Sequence, residues 1–490
     1  MERSLSSGTT REFAFVSNNK AFKKARRGGL TNVRLSLAKW LDILIFWALL
    51  ALIPLTAVPY GTVQPGWEAV FECNVFALGA LWIFHGLLSG RWRVRGLGLL
   101  APLFALIILG CFQILPSRSI SADPFETRLF VSRLLALVLA AELLLCYTTT
   151  RHRLQALVKV LIAVGVPTAL FGIARQTMQG TTMGFILPSL EPGSGYGQFI
   201  NRNHFAFLME MTLGLLLGLV MARGITRDRI LTYLALAAPV WAALVLSNSR
   251  GGIVSMFCQV LFLTLFFGGV SRENKGFDQR TRSFGDRFAR VTRPAAVRLA
   301  LVFSLLLSVA IGVLWLGGDP LVTRLESASK EVAVGTASDG SATGGSRENI
   351  NRLEIWRATW RLIKANPVTG VGFGGYWTAI AEHHDASGSS TPQQAHNDYL
   401  ELLASGGPIA IGLAAWFVFV LIKRARRQLG SSDPFRRAAC FGALASLFTV
   451  AIHSFVDFGL HITVNALVCI VLVVIATVDQ PIDEQSRLTT

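Results

Sequence analysis

The sequence predicts an all-α, polytopic integral membrane protein of about 12 transmembrane helices, with a large loop on the outward side carrying short helices. Three observations predict it. Of the 490 residues 52% are hydrophobic and only 15% charged, and the mean hydropathy is +0.51, a balance that excludes a soluble multidomain chain. Apolar runs of about 20 residues, enough to cross a bilayer core of about 30 Å, recur along the chain. The net charge of +17 collects at alternate ends of those runs, as positive-inside topology requires, so it is no signature of nucleic-acid binding.

The spans run from Trp40 to Val58, Glu68 to Leu88, Gly96 to Leu115, Leu129 to Cys146, Leu154 to Ala174, His204 to Ala222, Arg229 to Leu246, Gly251 to Val270, Leu299 to Leu316, Pro408 to Ile422, Ala438 to His453 and Val464 to Val478. With twelve crossings, the basic clusters Lys20 to Arg27, Arg91 to Arg95, Arg151 and Arg153, Arg223 to Arg229, Arg272 to Arg298 and Lys423 to Arg437 share the cytoplasmic side. Both termini are expected there, as a basic tail at 1–39 and a short tail at 479–490. Spans 1–9 fill 40–316, interrupted by an outward loop at about 175–203. An outward loop at 317–407 follows, then spans 10–12 over 408–478. The basic head leads into a full-length span with no small-residue cleavage site, so no cleavable signal is expected. All six cysteines fall within spans, which argues for core residues rather than disulfides or a thiolate metal site. No internal repeat or symmetric pair of interrupted helices suggests a transporter.

Within the large outward loop, Gly335 to Ser346 is rich in Ser and Gly and reads as a mobile loop. Asn351 to Ala365 has helical periodicity. Leu353, Trp356, Trp360 and Ile363 form its apolar stripe, Asn366-Pro367 stops it, and Arg352 lies beside the stripe while Arg361 and Lys364 point elsewhere. Thr369-Gly370-Val371-Gly372-Phe373-Gly374-Gly375 lacks the Lys of a phosphate-binding loop and suits close backbone approach or a tight turn. Thr391-Pro392 reads as a cap followed by a first-turn proline, which sets His396 about one turn inside a helix. The partial positive charge there favours the neutral ring that a general base needs. The alternative for this histidine is a bond to a loop carbonyl.

Arg202 at the mouth of the sixth span and Arg250 at the mouth of the eighth stand on the translocated side, against the positive-inside bias. Their planar donors suit a phosphate, with snorkelling to headgroups as the alternative. Intramembrane ionisable residues are functional candidates by default. Glu142 and Lys159 are placed to pair, Arg133 and Arg175 to extend an anion site, and Glu210 to position or neutralise Arg202 or Arg250. His383-His384-Asp385 offers metal-ligand types, but adjacent histidines do not readily face one ion and no carboxylate pair accompanies them.

Together, Asn201-Arg202-Asn203-His204-Phe205-Ala206, Ser249-Arg250-Gly251-Gly252, Arg352-Leu353-Glu354-Ile355-Trp356 leading to Asn366 through Gly372, His396-Asn397 through Gly407, and His453-Ser454-Phe455-Val456-Asp457-Phe458 resemble the O-antigen ligase and polymerase superfamily of bacterial membrane glycosyltransferases. The resemblance covers about the last 300 residues. Ala410 departs from it, standing where a second glycine is usual. The resemblance implies an inner-membrane enzyme that moves a glycan from undecaprenyl diphosphate to an acceptor hydroxyl on the periplasmic face, with inversion and without cofactor or metal ion. It further implies His396 as base, Arg250 and Arg352 as catalytic cations, and Arg202, Arg133, Arg175, Asn397 and Glu210 as substrate-binding residues. Lipid A core or a second lipid-linked glycan is the acceptor, in O-antigen or exopolysaccharide assembly. A polymerase of repeat units is the close alternative. A transporter of an anionic substrate and a membrane scaffold are the alternatives of other classes.

Overall fold

Four helices announce themselves by their caps. Asp123 accepts from the backbone N–H groups of Phe125 and Glu126, Asn201 from Asn203, Asn397 from Tyr399 and Leu400, and Asp433 from Phe435. Pro124 and Pro434 add a first-turn proline, whose missing N–H costs nothing there. In the computed structural model, which describes residues 9–115, 119–177, 195–270, 347–384 and 392–479, the helices are α1 (Thr9–Ala57), α2 (Pro65–Ser89), α3 (Leu97–Gln113), α4 (Pro124–Tyr147), α5 (Arg151–Thr177), α6 (Arg202–Met221), α7 (Ile230–Leu246), α8 (Arg250–Val270), α9 (Arg347–Ala365), α10 (Tyr376–Ile380), α11 (Asp398–Leu429), α12 (Pro434–His453) and α13 (Thr463–Thr477). Among the described residues the only β pairing is one bridge, Tyr196 to Phe199.

The chain is all-helical. Among the described residues, eight helices are long and apolar enough to cross a membrane, with α3, the first part of α8 and α13 as shorter apolar helices. Each expected span coincides with a described helix except Leu299 to Leu316, which lies outside the described residues together with the Arg272 to Arg298 and Gly335 to Ser346 segments. The most enclosed helix is α6, buried along nearly its whole length and packed most extensively on α12. Gly218 and Gly442 allow that approach, since a Cβ on Gly218 would stand 2.1 Å from the Gly442 Cα. At the basic end of the bundle, Asp42 of α1 holds both Arg93 (2.6 Å) and Arg153, so these residues tie three segments together as well as setting charge.

Three expectations are corrected here. Glu142 does not meet Lys159, which is exposed; its buried carboxylate accepts from the N–H groups of Arg95 and Gly96 and so caps α3. Pro392 to Asn397 is not helical. The helix starts at Asp398 behind the Asn397 cap, and Thr391 lies outside the described residues. On α9 the inward stripe is Ile355, Ala358, Thr359 and Leu362, whereas Leu353 and Trp360 are exposed. Small residues face inward because α10 and α11 pack close. Ile363 is buried and Trp356 half-buried, as expected, and Arg352 continues the true stripe at its outer end.

A separate small core joins these loop helices through Ala358, Leu362, Val371, Tyr376, Ile380 and Ala404. The glycine-rich segment after α9 is the clasp that docks it on the bundle. Val371 N–H donates to Ala404 O (2.9 Å) and Gly372 N–H to Ser405 O (3.0 Å). Gln113 at the end of α3 donates to Thr369 O and Ser405 O and accepts from Phe373 N–H. The expected close backbone approach is therefore present.

Gly407 breaks α11 with φ 65° and ψ −171°, a region open essentially to glycine alone. It separates the segment that follows His396 from the apolar span beginning at Pro408. A Cβ there would stand 2.2 Å from Val368 O. Ala410, one turn on, is fully buried against Phe373. Gly407→Ala should therefore cost more than about 2 kcal/mol, whereas Gly412→Ala, with open space around its Cβ, should leave stability unchanged or raised. Thermal unfolding of the purified variants checks the contrast.

Candidate active site

Asp457, in the turn between α12 and α13, is 1% exposed. A buried carboxylate is tolerated only if donors and positive charge surround it, and here they come from widely separated parts of the chain. Phe458 N–H donates to Oδ1 at 2.8 Å, and the Asn203 side-chain amide donates to Oδ2. Arg352 Nη2 lies 3.7 Å from Oδ2, His396 Nδ1 3.6 Å from Oδ1 and His204 Nε2 4.0 Å from the same oxygen. The Phe458 ring stands edge-on between the two imidazoles, with centroids 4.7 Å from His204 and 4.8 Å from His396. Burial alone would raise the Asp457 pKa; the facing His396 ring, His204, His453 and Arg352 outweigh it and hold the carboxyl below the usual carboxylate range.

His396 is half-buried and immediately precedes the Asn397 cap of α11. Its φ is 50°, in the left-handed region that non-glycine residues occupy at a cost. With Nδ1 turned to Asp457, Nε2 is the nitrogen left to meet a reactant. The expected dipole argument does not apply, since His396 lies outside the helix, and its Nδ1 instead stands 3.6 Å from a carboxylate.

Arg202 is the first residue of α6 and half-buried; its neighbours Asn203 and His204 both reach Asp457. Arg250 is exposed at the first residue of α8, where Ser249 Oγ accepts from Gly252 N–H at 3.2 Å. Gly251 and Gly252 let that turn settle on a buried pair. Glu210 Oε1 accepts from His453 Nδ1 at 2.7 Å, with both side chains sealed from solvent. A Cβ on Gly251 would stand 2.5 Å from His453 Nε2, and one on Gly252 3.2 Å from Glu210 Oε1. The Arg250 turn thus rests on the α12 end that leads into Asp457.

Several candidates have other contacts than expected. Glu210 pairs with His453, not with Arg202 or Arg250, and no solvent reaches it. Asn397 spends its side-chain oxygen on the helix cap. Arg133 binds Glu68 at 2.8 Å and His461 O at 3.2 Å, bracing the turn before α13. Arg175 donates to Gly197 O at 2.7 Å, holding the turn before α6. These four act on the site through its framework. His383 Nδ1 lies 3.3 Å from Ala379 O, and Asp385 is outside the described residues. Beside His396, His461 Nε2 faces Asp398 (3.7 Å) and Glu401 (3.4 Å). Loss of hydration in the cleft, then the nearby Arg133 charge, lower its pKa to about 3. Sequence reasoning assigned no role to Asp457, Asn203, His204, His453 or His461. Their signal was the presence of four of them, all but His461, in two of the motifs.

Residues 233–415 match the family model described as Wzy_C: O-Antigen ligase. That match supports a likeness to the O-antigen ligase and polymerase-like superfamily. No curated protein matches. The matched O-antigen ligase segment contains Arg250, Arg352 and His396, while Arg202 and Asp457 lie on either side of it, so the fold carries the site beyond the matched region. Apolar helices and family together make this an integral membrane protein.

Because the fold favours ionised Asp457, its contribution is complete above the ordinary carboxylate pKa of about 4 and is lost as pH falls below that toward the depressed value. The difference in melting temperature between the wild type and Asp457→Asn should therefore stay constant from about pH 8 to 5 and shrink below about 4. A difference that peaked near pH 6.5 would assign the stabilisation to histidine instead.

Proposed function

We propose that this protein is an O-antigen ligase-like membrane glycosyltransferase that moves a glycan from undecaprenyl diphosphate to an acceptor hydroxyl, lipid A core or a second lipid-linked glycan, at the periplasmic face of the inner membrane. The observation that carries this reading is the meeting of one imidazole, Arg352 and the α6 and α8 N-termini with Arg202 and Arg250 around Asp457 or on the turn leading to it. A base and several cations are what transfer from a lipid diphosphate requires.

His396 Nε2 takes the acceptor hydroxyl proton as the oxygen attacks the anomeric carbon. Asp457 orients the ring through Nδ1 and stabilises the imidazolium that forms, as the carboxylate of a hydrolytic triad does. The bond from the anomeric carbon to the diphosphate oxygen breaks with its electron pair going to the phosphate. Attack opposite that bond inverts the centre. The growing charge is met by Arg352 and Arg250, then by Arg202 and the positive ends of the two helix dipoles. Fixed guanidinium groups thereby supply the charge stabilisation that a metal ion gives elsewhere, and no cofactor is needed.

The polymerase reading shares every step and differs in the acceptor. It is favoured by the His453 to Phe458 segment, a pattern of exopolysaccharide systems that here supplies Asp457.

Purified protein given an undecaprenyl diphosphate-linked glycan should form product with either lipid A core or a second lipid-linked unit, and chelator should leave the rate unchanged. His396→Ala should lower turnover by roughly 10²- to 10⁴-fold, and Arg250→Ala and Arg352→Ala by roughly 10²- to 10³-fold. Product from only one acceptor separates ligase from polymerase. Undiminished product from His396→Ala would remove the general base, and chelator-sensitive product would remove the metal-free mechanism.

A further inference from the structure

His396 is held at φ 50°, so the chain around it must supply what keeps it there. The answer lies one residue upstream. Ala395 is fully buried, and both of its backbone polar groups are taken by side chains from different helices. Its N–H donates to Glu401 Oε2 at 2.8 Å, and its carbonyl accepts from Trp356 Nε1 at 3.0 Å. That carbonyl belongs to the planar unit that ends at the His396 nitrogen, so Trp356 fixes the plane from which φ of His396 is set. On the other side, Asn397 is held as the cap of α11. The direction of the His396 Cβ is therefore determined from both sides.

Each clamp is itself braced. Glu401 is buried, and its second oxygen lies 3.4 Å from His461 Nε2, while the His461 carbonyl accepts from Arg133. Trp356 stands one turn along α9 from Arg352, the residue that reaches Asp457. One rigid helix thus places the arginine beside the carboxylate and fixes the backbone of the imidazole facing that same carboxylate.

We propose that Trp356 and Glu401 are positioning residues, which clamp Ala395 from either side and so aim His396 at Asp457. The proposal rests on the reading of His396 as general base. Removing either clamp frees the Ala395–His396 peptide to relax out of the left-handed region, and the ring then leaves Asp457 without any change in the residues that bind substrate.

The test uses the full-length protein with Trp356→Phe, which keeps the ring and removes the N–H, and with Glu401→Leu and Glu401→Gln. With an undecaprenyl diphosphate-linked glycan as donor and lipid A core or a second lipid-linked unit as acceptor, Trp356→Phe and Glu401→Leu should lower kcat roughly ten- to hundred-fold. KM should stay within about twofold, the pattern of a lost transition-state interaction. Glu401→Gln retains an acceptor oxygen and should keep most of the turnover. Amide exchange read by mass spectrometry should rise in peptides covering residues 392–398 in the two damaging variants and nowhere else. If His396→Ala abolishes turnover while Trp356→Phe and Glu401→Leu keep wild-type kcat, the clamp is overturned. Exchange that rises throughout the chain, or Glu401→Gln failing as badly as Glu401→Leu, overturns it too. If His396→Ala leaves turnover intact, the general-base reading falls instead, and the local exchange at 392–398 still decides whether the clamp exists.

Discussion

A single carboxylate sealed from water organises the functional end of this molecule. Stripping a carboxylate of its hydration costs several kcal/mol even after relaxation, and Asp457 is kept ionised in that position. It must recover the loss from donors and cations that the chain brings from elsewhere. Asn203 and His204 arrive on the first turn of α6, Arg352 on α9, and His396 on the approach to α11. The arrangement of helix ends follows from that requirement, because none of these elements can move away without leaving charge unpaired.

The surrounding fold supplies rigidity where the convergence needs it. Gly218 and Gly442 bring α6 and α12 into backbone contact, which fixes Asn203 relative to the turn after His453. The buried Glu210 and His453 form the floor on which the Arg250 turn rests, with Gln259 bridging from α8 to Thr449 of α12. Removing one member of such a pair typically costs about 1–3 kcal/mol, since it leaves a buried polar atom of the other without its partner. On the opposite side the glycine clasp ties the loop helices to α3 and to the carbonyls just before Gly407. In the proposed reaction, chemistry and stability would draw on the same contacts, with Glu210 and Arg133 held in the framework around Asp457.

Much of this was legible in the sequence because lipid imposes strong rules. A span must be long and apolar, and an arginine on the translocated side is conspicuous, so the helices could be marked from residues alone and Arg202 and Arg250 singled out as candidates. The start of α11 was misplaced because Thr391-Pro392 and Asn397-Asp398 both carry capping chemistry, and only tertiary contacts with Ser454 and Ala451 select the second. The inward face of α9 was misjudged because close packing against α10 and α11 favours Ala358 and Thr359 over bulkier Leu353 and Trp360. Asp457 had no periodicity or spacing to announce it. Its side-chain partners come from three separate stretches of the chain, the farthest 254 positions away, and the sidedness of two motifs was the only clue that they share an end.

The central claim is that His396 and Asp457 act as one unit, and a double-mutant cycle on turnover tests it most directly. If the carboxylate works by orienting and charging the imidazole, Asp457→Asn adds little once His396→Ala has removed the ring, and the double variant should fall within about threefold of the slower single variant. Losses that multiply across the two substitutions would show that Asp457 acts independently of His396 and would contradict the account.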